Sequence, residues 1–320
     1  MRALVDLIVV GGGTAGLSAA IYGVRAGKSV LVLEEKFYGG QIVNSPEVVN
    51  YPGIQKISGF EFAKSLYEQA IALGAGYKQA RVVQIREKQQ SDAQLSDSGQ
   101  SSIKQVVART GAGVEECYEA NAVILATGAK NRPLGLEREQ ELIGAGISYC
   151  ATCDGMFFRD REVAVAGGGN TALEDALFLS EYCSKVYLIH RRDQFRGEEK
   201  LVERLRDKDR VEFVLESEVT GLHGDAMLDR ITVRHVKTKE ERDIAVSGLF
   251  VAIGQMPDNG NFSNLVSVDE KGYIRAGEDC RTETPGIYTA GDCRTKQVRQ
   301  LATAAADGAV AALAACEYIG

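Results

Sequence analysis

The chain has 320 residues, enough for two medium domains that each bury a core without metal or disulfide staples. Its 37 Lys and Arg against 44 Asp and Glu leave a formal charge of −7, and the basic residues are scattered except at Arg191, Arg192 and Arg196, which argues against a nucleic-acid partner. Seven cysteines with no regular spacing beyond one close pair exclude a disulfide framework and fit a reducing cytoplasm.

An apolar run from Leu4 to Val10, broken only by Asp6, leads into Gly11-Gly12-Gly13-Thr14-Ala15-Gly16. Ala15 to Ala26 follows at helical spacing, then Ser29 to Leu33. This reads as strand, turn, helix, strand. Asp6 and three consecutive glycines rule the stretch out as a membrane span, and no small-residue cleavage site precedes the turn, so no signal peptide is expected. The glycines allow a tight turn and a close backbone approach to a pyrophosphate, whose charge then sits on the helix N-terminus. Glu34 lies 23 residues after Gly11, where a carboxylate binds the ribose hydroxyls of an unphosphorylated adenosine, so this first site suits FAD or NAD.

The polar stretch from Glu87 to Gly113 reads as a hairpin with an extended loop and carries no chemistry. The apolar strand Ala122 to Leu125 then ends in Ala126-Thr127-Gly128. Next comes Cys150-Ala151-Thr152-Cys153-Asp154. Cysteines so spaced can close a disulfide with little backbone movement. Zinc is the alternative, but a structural site wants four ligands, no second Cys-x-x-Cys exists, and His190, His223 and His235 are not spaced to complete one, so no metal is expected.

A second copy of the first pattern begins 156 residues after the first: strand Glu162 to Ala166, turn Gly167-Gly168-Gly169-Asn170-Thr171-Ala172, helix Ala172 to Tyr182, strand Lys185 to Ile189. Here the chain continues His190-Arg191-Arg192-Asp193-Gln194-Phe195-Arg196, with no acid at the place equivalent to Glu34. The second site suits the 2′-phosphate of NADPH, the alternative being a solvated basic turn that leads into the helix near Glu198 to Arg206. Two dinucleotide folds flanking one dithiol can deliver electrons to it from a nicotinamide through a flavin.

Leu249 to Gly254, like Ala126 to Gly128, reads as a crossing between domains. The last landmarks are Gly286-Ile287-Tyr288-Thr289-Ala290-Gly291-Asp292, then Arg299-Gln300 and a small-residue helix from about Leu301 to Ala315. Such a helix can aim its N-terminal N–H groups at an anionic flavin carbonyl while Asp292 binds a ribityl hydroxyl; an ordinary packing helix is the alternative. The expected fold class is α/β, with two Rossmann-like dinucleotide-binding domains, the second inserted into the first.

On these residues, together with Gly39-Gly40-Gln41 and Asn50-Tyr51-Pro52-Gly53, nearly the whole chain resembles the low-molecular-weight, bacterial-type thioredoxin reductases. The resemblance implies an FAD-binding domain of residues 1–127 and 248–320, an NADPH-binding domain of residues 128–247 that carries the redox disulfide, and a homodimer. It implies FAD contacts at Gly11, Gly13, Thr14, Ala15, Gly16, Glu34, Gly40, Gln41, Asn50, Ala126, Thr127, Gly128, Gly291, Asp292, Arg299 and Gln300. NADPH contacts are implied at Gly167, Gly169, Asn170, Thr171, His190, Arg191, Arg192 and Arg196.

The activity implied is electron transfer from NADPH to FAD, to a Cys150–Cys153 disulfide, and on to thioredoxin. Cys153 would face the flavin, Cys150 would attack the partner, and Asp154 would move the exchange proton, although Asp154-Gly155 is also a common turn dipeptide. The inserted domain would turn on connections near Gly128 and Gly248 between half-reactions. Two departures stand out: Cys293 where the family usually has an aliphatic residue, and a longer hairpin at Glu87 to Gly113. A dithiol oxidase that passes electrons to oxygen, or a flavin-binding redox sensor, has no need of the basic cluster after the second fingerprint.

Overall fold

Strand β1 (Val5–Val10) pairs in parallel with β2 (Val30–Glu34) and with β6 (Glu115–Leu125), and β2 pairs in parallel with β3 (Gly76–Gln79). Leu7, Ile8 and Val9 are fully buried, as a strand covered on both faces requires. The computed structural model describes residues 4–45, 47–88 and 102–320, which divide into two units. The first comprises Met1–Val43, Tyr51–Lys130 and Met256–Gly320; the second comprises Asn44–Asn50 and Asn131–Gln255.

In the first unit, α1 (Thr14–Arg25) makes the crossover from β1 to β2, with α2 (Gly59–Ala72) beside it. A reciprocal Ser58–Glu61 capping box starts α2. Strands β4 (Arg81–Glu87) and β5 (Lys104–Arg109) continue the sheet as an antiparallel meander with the first half of β6. The two sides of the expected hairpin are thus strands, and its tip at 89–101 lies outside the described residues.

The last helix of the first unit, α7 (Leu301–Ile319), is long and apolar enough to cross a bilayer by length and composition. One face of it packs into the core. Ala311, Ala312 and Ala315 are fully buried in a cluster with Leu17 and Ala19 of α1. A Cβ placed on Gly308 would lie 2.2 Å from the Ala15 carbonyl oxygen, so only glycine lets the two helices approach this closely.

The second unit repeats the plan. Strand β9 (Glu162–Gly167) pairs in parallel with β10 (Lys185–Ile189) and β15 (Gly248–Ala252). Strand β11 (Val211–Val214) extends the sheet beyond β10, and β8 (Ile147–Ser148) extends it beyond β15. Helix α5 (Asn170–Ser180) connects β9 to β10, and α6 (Glu199–Arg206) follows β10. An antiparallel sheet of β12 (Ser217–His223), β13 (Arg230–His235) and β14 (Glu241–Ala245) completes the unit with the short helices α3 (Glu139–Leu142) and α4 (Ala151–Asp154).

The α/β fold with a second dinucleotide unit inserted into a first is therefore observed, but the return crossing falls after Gln255 and not at 248. The reason is β15: its apolar run is the strand beside β9 in the second unit's own sheet. The two connections, β7 (Ala129–Asn131) and β16 (Gln255–Pro257), pair as a two-stranded ribbon. Gly128 (φ 68°) and Gly254 (φ 115°) precede them in left-handed conformations that favour glycine.

Candidate active site

Each fingerprint is a strand end, a glycine turn and a helix start, and the two are built alike. A Cβ on Gly11 (φ 108°) would meet the Ala126 carbonyl oxygen at 2.3 Å, and one on Gly167 would meet that of Ala252 at 2.5 Å. Helices α1 and α5 are capped by Gly13 and Gly169, which have no side chain to accept from the first-turn N–H groups. Those donors stay open to an anion.

The first unit gathers its landmarks around the first turn. Thr14 and Ala15 are buried, and a Cβ on Gly16 would lie 1.8 Å from the Gly11 carbonyl oxygen. Glu34 accepts from the Gly12 and Lys36 N–H groups at 2.6 and 2.9 Å. Gly39 N–H donates to Gly12 O at 2.7 Å, which lays Gly39 and Gly40 against the turn, and the Gln41 amide donates to Ala129 O. Ala126 N–H bonds Val10 O at 2.8 Å, and Thr127 donates its hydroxyl to Asn259 Oδ1 at 2.9 Å.

Strand β17 (Ile287–Thr289) joins β6 and delivers Gly291 (φ 81°) onto Ala15, so tightly that a Cβ there would lie 2.8 Å from that of Ala15. Arg299 lies 4.2 Å over the Tyr273 ring and approaches Asp292 O at 3.4 Å, while Gln300 caps α7 reciprocally with Thr303. Asp292 Oδ1 is buried without a partner, and burial pushes its carboxyl above the ordinary value against the pull of Lys296 and Arg299. The glycine cradle and this free acceptor fit a dinucleotide whose hydroxyl-bearing chain passes Asp292. Asn50 is exposed and falls in the second unit.

In the second unit, His190 lies flat on Gly168, with its ring stacked on Phe195 at 5.3 Å and 19°. Its Nε2 is buried without a partner, and burial, with Arg196, Arg192 and Arg191 nearby, lowers its pKa so that the neutral imidazole prevails. Arg191, Arg192 and Arg196 are exposed, and among the described residues none of their guanidinium groups has an acidic partner. Three free cations beside an open Gly169, which has nothing within 4 Å of a would-be Cβ, fit an adenosine 2′-phosphate. Thr171 is exposed at the helix start. The Asn170 side chain accepts from Glu198 N–H at 2.8 Å and donates to its carboxylate at 3.0 Å, so it pins the basic loop to α5.

Cys150 and Cys153 are joined as a disulfide, with Cys150 capping α4 and accepting from the N–H groups of Cys153 and Asp154. The turn rides on the fingerprint helix, because a Cβ on Gly155 would touch Phe178 and Leu179 of α5 at 3.0 Å. Asp154 Oδ2 accepts from the buried Ser148 hydroxyl at 2.6 Å, and Oδ1 is buried without a partner. Burial raises the Asp154 pKa, and the Ser148 hydrogen bond works against it. A carboxyl tuned upward beside a disulfide is equipped for proton transfer. No cluster able to hold a metal exists among the described residues.

The profile of the pyridine nucleotide-disulphide oxidoreductases matches residues 5–309. A thioredoxin reductase of Treponema pallidum (strain Nichols) is 39% identical over 98% of this chain and 97% of its own length. The chain belongs to this family. Among solved structures, the thioredoxin reductase of Streptococcus pyogenes MGAS5005 is similar at a TM-score of 0.87 and 36% identity, covering 99% of each chain. The Lactococcus lactis thioredoxin reductase, described in its FR conformation, is similar at a TM-score of 0.65 and 34% identity over 98% of this chain and 99% of its own. Within the family, the chain is of the thioredoxin reductase kind.

Three residues of this family member escape a reading of its motifs. Ser148 holds Asp154. Asn259, 2% exposed, accepts from Thr127 and donates to Cys293 O at 3.0 Å, tying together two segments of the first site. Asp307 anchors Gly291. Cys293 is fully buried, with Sγ 3.3 Å from Leu125 O and Ala290 O, and packs as a small core residue.

Proposed function

We propose that the protein is an NADPH-dependent flavoprotein disulfide reductase whose protein substrate is thioredoxin. The observation that carries this reading is the Cys150–Cys153 disulfide beside the upward-tuned Asp154, on the same unit as the exposed Arg191, Arg192 and Arg196. FAD, when bound, supplies the step from two-electron hydride chemistry to disulfide reduction.

The first unit holds FAD through the Gly11–Gly16 turn, Glu34, Gly40, Gln41, Ala126–Gly128, Asp292 and the start of α7. The second holds NADPH through Gly167, Gly169, His190 and the three arginines. Two electrons and two protons convert the disulfide to two thiols. Cys150, as thiolate, then attacks the thioredoxin disulfide; the mixed disulfide formed is resolved by Cys153, and Asp154 holds the proton that the exchange takes up and returns. Met156 and Phe157, both exposed directly after this motif, offer apolar surface to a protein substrate.

The second unit turns on the glycine-flanked ribbon of β7 and β16 so that disulfide and nicotinamide reach the flavin alternately. The relative described in a named conformation supports such motion. The family resemblance also brings a homodimer and a cytoplasmic location into the proposal. Anaerobic reduction of the yellow protein by NADPH, then reoxidation by thioredoxin, tests the reading. Reoxidation by oxygen alone would favour a dithiol oxidase.

A further inference from the structure

Asp307, on the second turn of α7, is 6% exposed and accepts four hydrogen bonds. They come from Gly291 N–H at 2.9 Å, Arg294 Nε and Nη2 at 2.8 Å each, and Lys296 Nζ at 2.9 Å. Arg294 is itself 1% exposed, with Nη1 donating to Thr295 O at 3.0 Å. Buried ion networks contribute little net stability compared with apolar packing of the same volume, but they fix geometry. Here the geometry fixed is a single turn. Gly291 N–H is held by Asp307, Cys293 O by Ile274 N–H at 2.9 Å and Asn259, and Arg294 O by Arg299 at 3.3 Å. Between these clamps sits Asp292, with one carboxylate oxygen buried and unpartnered.

We propose that Asp307, with Arg294 and Lys296, is a positioning device for the flavin site. It locks Gly291 in its left-handed conformation against Ala15 and so presents the free Oδ1 of Asp292 as a ready acceptor for a hydroxyl of the bound group. The same three side chains contribute to the field at that site, the buried Arg294 and Lys296 facing Asp307, with Arg299 also near Asp292 and the exposed Glu278 3.4 Å from Arg294. This inference rests on the assignment of FAD to the first unit.

The test strips the full-length protein of flavin, titrates it with FAD by fluorescence quenching, and measures the flavin midpoint potential of the reloaded protein by dye equilibration. Wild-type apoprotein failing to take up FAD would overturn the flavin assignment, and the proposal with it. With wild type binding, Asp307→Asn is expected to weaken FAD at least tenfold and to raise the potential, because removing a buried negative charge leaves Lys296 and Arg294 less compensated and favours the electron-rich reduced form, the exposed Glu278 remaining on Arg294. A tenfold shift in the reduced-to-oxidised ratio corresponds to about 30 mV for a two-electron couple. Lys296→Met retains the Asp307–Arg294 pair, folds without the aspartate change, and is expected to shift the potential in the opposite direction. The double variant should return toward wild type. Affinities within twofold of wild type with an unmoved potential, or single variants that shift it with the same sign, would overturn the proposal.

Discussion

Ser148 donates its hydroxyl to Asp154 at 2.6 Å while accepting from Cys150 N–H at 3.1 Å, so one buried side chain joins the first cysteine of the disulfide to the acid that follows the second. Among the described residues Ser148 is the carboxylate's one hydrogen-bond partner, and burial is the largest influence on its titration.

Asp154→Asn should lower thioredoxin turnover on the order of 10²-fold, within the usual range for loss of a general acid or base. Stability should respond oppositely. With the folded pKa raised, the folded state holds the proton more tightly than the unfolded chain, so Asp154 stabilises the fold at low pH. That contribution is lost as pH rises from about 3.8 through the folded value. The asparagine variant should therefore match or exceed the wild-type melting temperature above that window. Ser148→Ala, which removes the interaction that lowers the pKa, should move the pH profile of thiol exchange to higher pH. Melting curves and stopped-flow pH profiles check both.

Replacing Arg191 and Arg192 with Ala should erase the preference for NADPH over NADH and leave folding intact, since among the described residues their guanidinium groups have no acidic partner to lose. Each charge-assisted phosphate contact is worth on the order of 1.5 to 3 kcal/mol, or roughly ten- to a hundredfold in kcat/KM. Steady-state kinetics with both nucleotides decides this, and an unchanged ratio would remove the cluster from the nucleotide site.

The two fingerprints were legible because their requirement is local: a turn with no room for side chains, immediately before a helix. The disulfide motif was legible for the same reason. Ser148 and Asn259 were not, because their partners are set by strand pairing and by contacts such as the one from Thr127 to Asn259, 132 residues apart. Asp307 did leave a signal. It and Glu317 are the only charges in α7, and a carboxylate on the alanine-rich face that packs inward demands cationic partners. Asn170 fits a cofactor contact by position, yet its side chain is committed to Glu198. The return crossing is not legible at 248 because an apolar run such as Leu249 to Ile253 does not reveal which sheet it joins, and here it joins β9.

Gly169→Ala separates nucleotide from fold. A Cβ there meets nothing within 4 Å, and the backbone is not left-handed, so the melting temperature should be unchanged. The added methyl group would occupy space that a pyrophosphate needs, and KM for NADPH should rise at least several-fold with kcat at saturation little affected. Gly11→Ala is the contrast: its Cβ meets backbone at 2.3 Å, and the variant should be destabilised and poor in flavin.

Cys153→Ser should leave Cys150 free to capture a thioredoxin that lacks its own resolving cysteine, giving a stable mixed disulfide. Cys150→Ser should give none. Non-reducing electrophoresis and peptide mass spectrometry identify the bond, and capture by Cys153 alone would reverse the roles of the two thiols.

The most direct test of the electron path is a thiol count under anaerobic conditions. Five cysteines are free and two are joined, so denatured, oxidised protein should titrate five thiols per chain. After excess NADPH the count should rise to seven, with the two new thiols mapped to Cys150 and Cys153, and oxidised thioredoxin should return it to five while gaining two thiols itself. A count that stays at five after NADPH has bleached the flavin, or rises to seven without any transfer to thioredoxin, would contradict the account.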